Sequence, residues 1–170
     1  KHLSDSEGTS FIMPESVYYE SVERPVKIKR FELNAVRIRD AVEEGYLKII
    51  KTSPSIRGKI KELEGIALNI CSANGRNIKL IDMGEAEALA LIKEKESKTL
   101  LIDERTTRML IEEPENIRKF LVRKHKANIF LNEKSINDLK AFVGEVNVIR
   151  SVELIALAYE TGAFEKELHR

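Results

Sequence analysis

Acidic residues at two places in the sequence have the type and spacing that could hold a metal ion. Residues 82–92 read Asp-Met-Gly-Glu-Ala-Glu-Ala-Leu-Ala-Leu-Ile, which puts Glu85 at the start of a helix-forming run. Residues 99–105 read Thr-Leu-Leu-Ile-Asp-Glu-Arg, so that Asp103 ends an apolar run typical of a strand. In open α/β sheets, ligands bind beyond the carboxyl ends of the strands. Carboxylates without His or Cys suit a hard cation such as Mg²⁺, and the pattern therefore predicts a metal-dependent acidic site.

Glu20 is a third candidate ligand, because it follows the apolar run 11–13 on a short predicted helix. Three nearby carboxylates repel one another in a dry site unless a cation neutralises them. The reserve candidates are Asp82, Glu87 and Glu104. A structural interpretation stays open for every acid. Asp82 and Glu85 fit a capping box, the Asp103-Glu104 pair could cap the next helix, and Glu20 could be a solvated helix residue.

Other catalytic chemistries lack a signature in the sequence. His2, His125 and His169 are scattered without zinc-site spacing, and the glycines form neither a P-loop nor a dinucleotide fingerprint. There is no G-x-S-x-G elbow for a serine hydrolase. Cys71 is the single cysteine, so an internal disulfide is excluded. It lies in an apolar run, and we expect a small buried side chain there rather than a nucleophile.

Length and composition predict one domain without a membrane anchor. The 170 residues are divided into a loop or tail at 1–10 and a single domain at 11–170. No apolar run approaches the ~18 residues needed to cross a bilayer, and no signal-peptide pattern is present. A lone cysteine fits a reducing cytoplasm.

The net charge of +1 calls for no nucleic acid by itself, but basic residues are clustered. One cluster contains Lys27, Lys29, Arg30, Arg37 and Arg39, and the other contains Arg118, Lys119, Arg123, Lys124 and Lys126. Clusters of this kind are most often solvated helix faces, and that interpretation stays open for both.

Hydrophobic periodicity predicts short strands that alternate with helices. Strands are predicted at residues 11–13, 47–51, 99–102, 127–131 and 146–149. One helix is predicted to begin at residue 14, and another to run from 60 to an end at Asn74-Gly75. The other helices are predicted over 31–44, 84–96, 104–111, 114–123, 135–142 and 151–161. This alternation is typical of a parallel sheet covered on both faces. The predicted fold class is therefore α/β, a three-layer α/β/α sandwich with a central parallel sheet.

The order of these segments resembles the PIN domain, the nuclease fold of VapC-type toxin ribonucleases and of RNA-processing endonucleases. Residues 11–20, Phe-Ile-Met-Pro-Glu-Ser-Val-Tyr-Tyr-Glu, are similar to the family's strand-Pro-x-x-Val-x-x-Glu segment, which carries its second acidic residue. Residues 84–91 resemble the segment that bears the third, and residues 100–105 the strand end that bears the fourth. Residues 148–162 are similar to the final strand and helix of a prokaryotic PIN-like branch. The resemblance covers most of residues 11–165.

The resemblance implies a metal-dependent endoribonuclease in which Glu20, Glu85 and Asp103 hold one or two Mg²⁺ or Mn²⁺ ions. It implies hydrolysis of RNA phosphodiester bonds by a metal-activated water, without a protein nucleophile. Backbone phosphates of the RNA would contact the basic residues Lys27, Lys29, Arg30 and Arg105. For Arg105, pairing with Glu104 or Asp103 is the alternative. Family members commonly form homodimers and, as toxins, pair with an antitoxin protein.

The family's first strand, with its first catalytic Asp, has no counterpart here, since only ten residues precede Phe11. Either the chain is a fragment of a longer protein, or it is a degenerate member of the family. Two further hypotheses therefore accompany the nuclease. One is a catalytically degenerate PIN-like module that binds RNA or a protein partner. The other is a flavodoxin-like receiver or other α/β binding domain that uses the same strand-end acids for Mg²⁺, and the lack of a Lys after the last strand disfavours the receiver.

Overall fold

The computed structural model of the chain describes residues 10–162, which form a mixed α/β structure. The described residues cluster into two compact units, one from residues 10–52 with 151–162 and the other from residues 53–150. The prediction of an α/β protein is confirmed. Most of the loop or tail predicted at 1–10, and the last residues of the predicted domain, lie outside the described residues.

The first unit contains a parallel pair of strands. Strand β1 (Phe11–Pro14) pairs with β2 (Leu47–Ile50), with Phe11 opposite Leu47. Between them lie, in order, α1 (Glu15–Tyr18), a π-helical turn (Tyr19–Glu23), a 3₁₀ turn (Pro25–Lys27) and α2 (Glu32–Glu43). Helix α8 (Ser151–Glu160) belongs to the same unit. The strands predicted near 11–13 and 47–51 and the helix predicted over 31–44 are thereby confirmed.

The second unit is built mainly from helices packed around buried Leu and Ile side chains. Its helices are α3 (Pro54–Leu68), α4 (Met83–Lys95), α5 (Arg105–Glu112), α6 (Pro114–His125) and α7 (Glu133–Val143). Its strands are β3 (Cys71–Ala73), β4 (Arg76–Asn77), β5 (Thr99–Leu101), β6 (Ile129–Leu131) and β7 (Asn147–Ile149). The largest fully buried side chains include Leu63, Leu89, Leu110, Ile117, Leu121, Ile129 and Leu139.

The strands of the second unit form two separate sheets. Strand β5 pairs with β7 in parallel, with Leu100 opposite Val148. The other sheet has the order β4-β3-β6 and is antiparallel throughout, with Cys71 opposite Leu131. Parallel pairing is thus present in both units, whereas one central parallel sheet stays a prediction.

The helix predicted to end at Asn74-Gly75 is wrong in its last part. Helix α3 ends at Leu68, and residues 71–77 form a β-hairpin instead. Its turn residues Asn74 and Gly75 both have positive φ, at 50° and 73°. A two-residue turn with positive φ at both positions matches the right-handed twist of paired strands, and Asn-Gly is its preferred sequence. The local turn chemistry therefore prevailed over the apolar periodicity that suggested a longer helix.

Helix α3 also begins earlier than predicted, at Pro54 rather than near Ile60. The Ser53 hydroxyl accepts a hydrogen bond of 3.2 Å from the Ile56 N–H, which makes Ser53 the N-cap. Proline suits the first helical position because its missing N–H would have no partner there. Ser53-Pro54 is therefore the start of a helix, whereas strand β2 already ends at Ile50.

Helices α3 and α4 are joined by an ion pair. The Lys59 ammonium lies 2.7 Å from the Glu94 carboxylate, and the Ser55 hydroxyl donates to the same carboxylate at 2.8 Å. Hydrogen bonds from Lys59 and then Ser55 lower the pKa of Glu94. A second pair, between Lys93 and Glu62 at 3.5 Å, joins the same two helices. Lys59 and Lys93 are thus both paired with an acid on the facing helix.

Candidate functional site

The amino end of α4 holds Glu85 in a capping box. Asp82 is the N-cap residue in extended conformation, and the Glu85 carboxylate accepts a hydrogen bond from the Asp82 backbone N–H. The Asp82 carboxylate also lies 3.2 Å from the Lys79 ammonium, in a pair that is largely exposed. The capping interpretation is therefore confirmed for Asp82 and Glu85. Glu85 itself is half-buried in the first turn of the helix.

Asp103 follows the parallel pair of strands β5 and β7. The ladder continues one residue beyond β5, because the Ile102 N–H donates to the Ile149 carbonyl at 2.9 Å. Asp103 is the next residue and is exposed, which puts it at the carboxyl end of β5 as predicted. The N-cap of α5 is Glu104, whose carboxylate accepts from the Thr107 N–H at 2.7 Å. Of the two neighbouring acids, Glu104 therefore has the capping role.

Glu20 is exposed in the π-helical turn of the first unit, whereas Glu85 and Asp103 both belong to the second unit. Single π-helical turns are rare and occur frequently at functional sites. Within residues 10–162, no group of three or more His, Cys, Asp and Glu side chains is arranged to hold a metal ion. The set of three ligands stays a prediction.

The reserve candidate Glu87 is almost completely buried, with 3% of its surface exposed. It lies in α4 next to buried Ala86, in a helix that buries residues around most of its circumference. The sequence contains the signal for this burial, because a helix that is apolar on nearly all sides is surrounded by protein. A carboxylate in such a place needs hydrogen-bond or charge partners to be tolerated.

Three of the basic candidates lie around the 3₁₀ turn of the first unit. Lys27, Lys29 and Arg30 are all exposed. The Arg30 guanidinium carbon lies 5.5 Å from the centroid of the Phe31 ring. Exposure is compatible with the predicted phosphate contacts and equally with a solvated face.

Arg105 has a contact that the sequence did not suggest. It is the first residue of α5, and its guanidinium carbon lies 4.8 Å from the centroid of the Phe120 ring on α6. The Lys124 ammonium lies 5.7 Å from the same centroid. Two cations from different helices thus share one aromatic ring. No sequence signal connects Arg105 with Phe120, since only tertiary packing brings α5 and α6 together.

A groove of about 560 Å³ is a second feature that the sequence did not suggest. It lies between the start of α6, strand β6 and helix α7. Its lining includes Phe130, which is 59% exposed, and the basic residues Arg118 and Lys140. Glu115 and Glu133 also line it. The groove therefore combines an exposed aromatic ring with charges of both signs.

Cys71 is buried, as predicted, and burial raises the pKa of its thiol. A raised pKa keeps the sulfur protonated at neutral pH and disfavours a role as nucleophile. Among residues 10–162, no helix is long and apolar enough to cross a membrane.

Comparison with known proteins gives no relative: the chain matches no family model, no curated protein and no solved structure. The resemblance to PIN domains therefore depends on the sequence motifs alone.

Proposed function

We propose that the chain is a metal-dependent endoribonuclease of the PIN type, with a three-layer α/β/α fold around a central parallel sheet. The observation that carries the proposal is the position of Asp103, exposed directly after a strand of the parallel pair β5–β7. That position is where α/β folds bind their ligands. Glu85, in the first turn of α4, and Glu20, in the π-helical turn, are the other proposed catalytic residues and metal ligands.

The donor chemistry of these residues fits Mg²⁺ or Mn²⁺. Mg²⁺ usually keeps several waters and binds through one or two carboxylates together with substrate phosphates. Asp103 and Glu85 supply carboxylate oxygens of this kind within one unit. When bound, the ion lowers the pKa of a coordinated water and neutralises charge on the scissile phosphate.

The remaining roles belong to basic side chains and to partners. Lys27, Lys29, Arg30 and Arg105 would hold RNA backbone phosphates, which supplies affinity without sequence choice. The proposal includes a cytoplasmic location, a homodimer and, for a toxin relative, an antitoxin protein as partner.

A second candidate function is a catalytically degenerate PIN-like module that binds RNA or a protein. The observation that favours it is the capping box of α4, since the Glu85 carboxylate already accepts the Asp82 N–H. The absence of a group of three acids within the described residues points the same way. The capping role of the Glu85 carboxylate explains the presence of an acid at this position without any metal.

Titration of the whole chain with Mn²⁺, followed by calorimetry, tests the proposal. We expect saturable binding that Asp103→Asn abolishes, because this substitution removes a ligand charge at an exposed position. Asp138→Asn is the matched control, since Asp138 is an exposed Asp on α7 without a proposed role. Equal binding by Asp103→Asn and the wild type would refute the ligand role. No binding by the wild type would favour the degenerate module.

A further inference from the structure

Helix α6 and its C-cap carry five basic residues that form no ion pair with a described acid, against the single acid Glu115 on the helix itself. The residues concerned are all exposed, namely Arg118, Lys119, Arg123, Lys124 and Lys126. None of them forms an ion pair with an acid of residues 10–162. Two cations of α3 and α4 differ, because Lys59 and Lys93 are paired with Glu94 and Glu62. Other exposed cations of the unit, such as Arg57, Lys61 and Lys98, also form no ion pair with a described acid, and α6 differs from them in the number of cations that one helix brings together.

These cations form an arc around the outside of α6, which exposed Glu115 and Val122 interrupt at one point. Successive residues of an α-helix are rotated by about 100°. Ile117 and Leu121 are buried and mark the inner side. On this rotation, Arg118 lies on one flank of the helix and Lys124 on the other, while Lys119 and Arg123 lie between them. Exposed Glu115 and Val122 lie between Arg118 and Lys119, so the basic face is uninterrupted by an acid only from Lys119 to Lys124.

The dipole of α6 explains only part of this arrangement. Cations in the last turn of a helix are stabilised by the helix dipole, which accounts for Arg123 and Lys124. Arg118 and Lys119 lie in the middle of the helix, where this effect is absent. Arg105 lies at the amino end of α5, where the dipole disfavours a positive charge. A bound anion would offset that unfavourable placement.

One flank of the arc ends at the ring shared by Arg105 and Lys124. The Phe120 ring holds the Arg105 guanidinium on its face, and Lys124 is further fixed by donating to the Thr106 hydroxyl at 3.4 Å. Both cations contact the same ring, and a phosphate is a ligand that each of them can bind. The plane of a guanidinium is also a surface on which unpaired RNA bases stack.

The other flank ends at the groove beside β6, because Arg118 belongs both to the arc and to the groove lining. A volume of about 560 Å³ lies within the range of small-molecule sites. The exposed Phe130 ring offers a base-stacking surface of the kind used by single-strand binders. Glu115 and Glu133 disfavour a phosphate in the groove but not an uncharged base. The groove thus suits a base, and the arc suits the backbone.

We propose that the outer face of α6 binds single-stranded RNA, with backbone phosphates along the arc and one unpaired base stacked on Phe130 in the groove. The choice of RNA as the polyanion rests on the proposed function. The surface is additional to Lys27, Lys29 and Arg30, which belong to the other unit.

The test is fluorescence anisotropy with a labelled oligouridine of roughly 16 nucleotides, long enough for a single-strand binding site. EDTA is present, so that binding is measured without metal and without cleavage. The variant carries Lys119→Gln, Arg123→Gln and Lys124→Gln. Its matched control removes the same charges at exposed positions elsewhere in the unit, through Arg57→Gln, Lys61→Gln and Lys98→Gln. Circular dichroism verifies that both variants are folded.

We expect the affinity of the α6 variant to depend less on salt. Each phosphate contact to a single strand contributes about −0.7 to the slope of log affinity against log salt, so three lost contacts make the slope shallower by about 2. The control should keep the wild-type slope. Phe130→Ala should weaken binding about tenfold with the slope unchanged, because it removes stacking and no charge. Tyr159→Ala, which removes another exposed aromatic ring, should have no effect.

Several outcomes would overturn the proposal. Equal losses of slope in the α6 variant and its control would mean that the RNA responds to net charge and not to this surface. Absence of oligouridine binding by the wild type would leave an acidic protein surface as the remaining partner for the arc.

The nuclease proposal can fail separately. Binding that depends on α6, without any cleavage in Mn²⁺, would refute the nuclease and support the surface. Cleavage with an unchanged KM in the α6 variant would support the nuclease and refute RNA binding by the α6 surface.

Discussion

Helices α4 and α5 both begin with a pair of acids, but the capping role falls on different members of the two pairs. At α4 the candidate ligand Glu85 is itself part of the cap. At α5 the cap is Glu104, and the candidate ligand Asp103 lies one residue outside it, beyond the strand ladder. Two similar sequence patterns therefore give two different assignments. The comparison identifies Asp103 as the acid whose position is explained less by helix capping.

The largest effect that this comparison predicts is on catalysis. Asp103→Asn should lower Mn²⁺-dependent RNA cleavage by about a hundredfold or more, because a metal site supplies several kcal/mol of charge stabilisation. Glu85→Gln should have the smaller effect, since Glu85 is shared between the cap and the proposed site. Initial rates of cleavage of a labelled RNA measure both. A larger loss for Glu85→Gln would reverse the assignment.

An intermediate effect is expected on the free energy of unfolding. Here the substitutions of the capping acids Glu85 and Glu104 should cost more than the substitution of Asp103. Glu85→Ala and Glu104→Ala should each lower the free energy of unfolding by about 1 kcal/mol, because each leaves a backbone N–H at a helix start without its partner. Asp103→Ala should lower it by less than Glu104→Ala does, because Asp103 is exposed and is not the N-cap of α5. Urea denaturation measures all three. If Asp103→Ala were as costly as Glu104→Ala, the two acids would not be distinguished by capping.

The smallest effect concerns the charge of Asp82. Asp82→Asn keeps a side-chain oxygen for the cap and removes only the exposed ion pair with Lys79. We expect a change in the free energy of unfolding of less than about 0.5 kcal/mol, and one that disappears at high salt. Urea denaturation at low and high ionic strength provides the measurement. A cost above 1 kcal/mol at both salt concentrations would mean that charge, and not geometry, maintains the capping box.

The sequence predicted those features that depend on neighbouring residues. Apolar residues at helical spacing located α2, and the short apolar runs located β1, β2 and β5. The acid spacing at 82–85 identified the capping box, and the run around Cys71 predicted a buried thiol. In each case the determining interactions lie within a few positions along the chain.

The features that were missed depend on long-range packing or on turn chemistry. The shared ring of Phe120 joins Arg105 to a residue on another helix, which periodicity cannot indicate. The groove beside β6 needs three elements to be placed together. The hairpin at Asn74-Gly75 was different, because its turn signal was present in the sequence and was interpreted as a helix end. Predictions that require distant residues to meet, such as the three-ligand site, are the ones that sequence supports least.

The ends of α4 and α6 have a consequence for how the protein can evolve. Each helix is terminated by a non-glycine residue in the left-handed conformation, Glu96 or Lys126, both with φ of 51°. Glycine adopts this conformation without steric cost, whereas other residues are strained there by about 1 kcal/mol or more. At most positions a shorter side chain weakens a fold, but at these two it would relieve strain. The chain thus keeps two sites where a single mutation could offset a destabilising change elsewhere, and at Lys126 that gain would remove one charge from the basic arc.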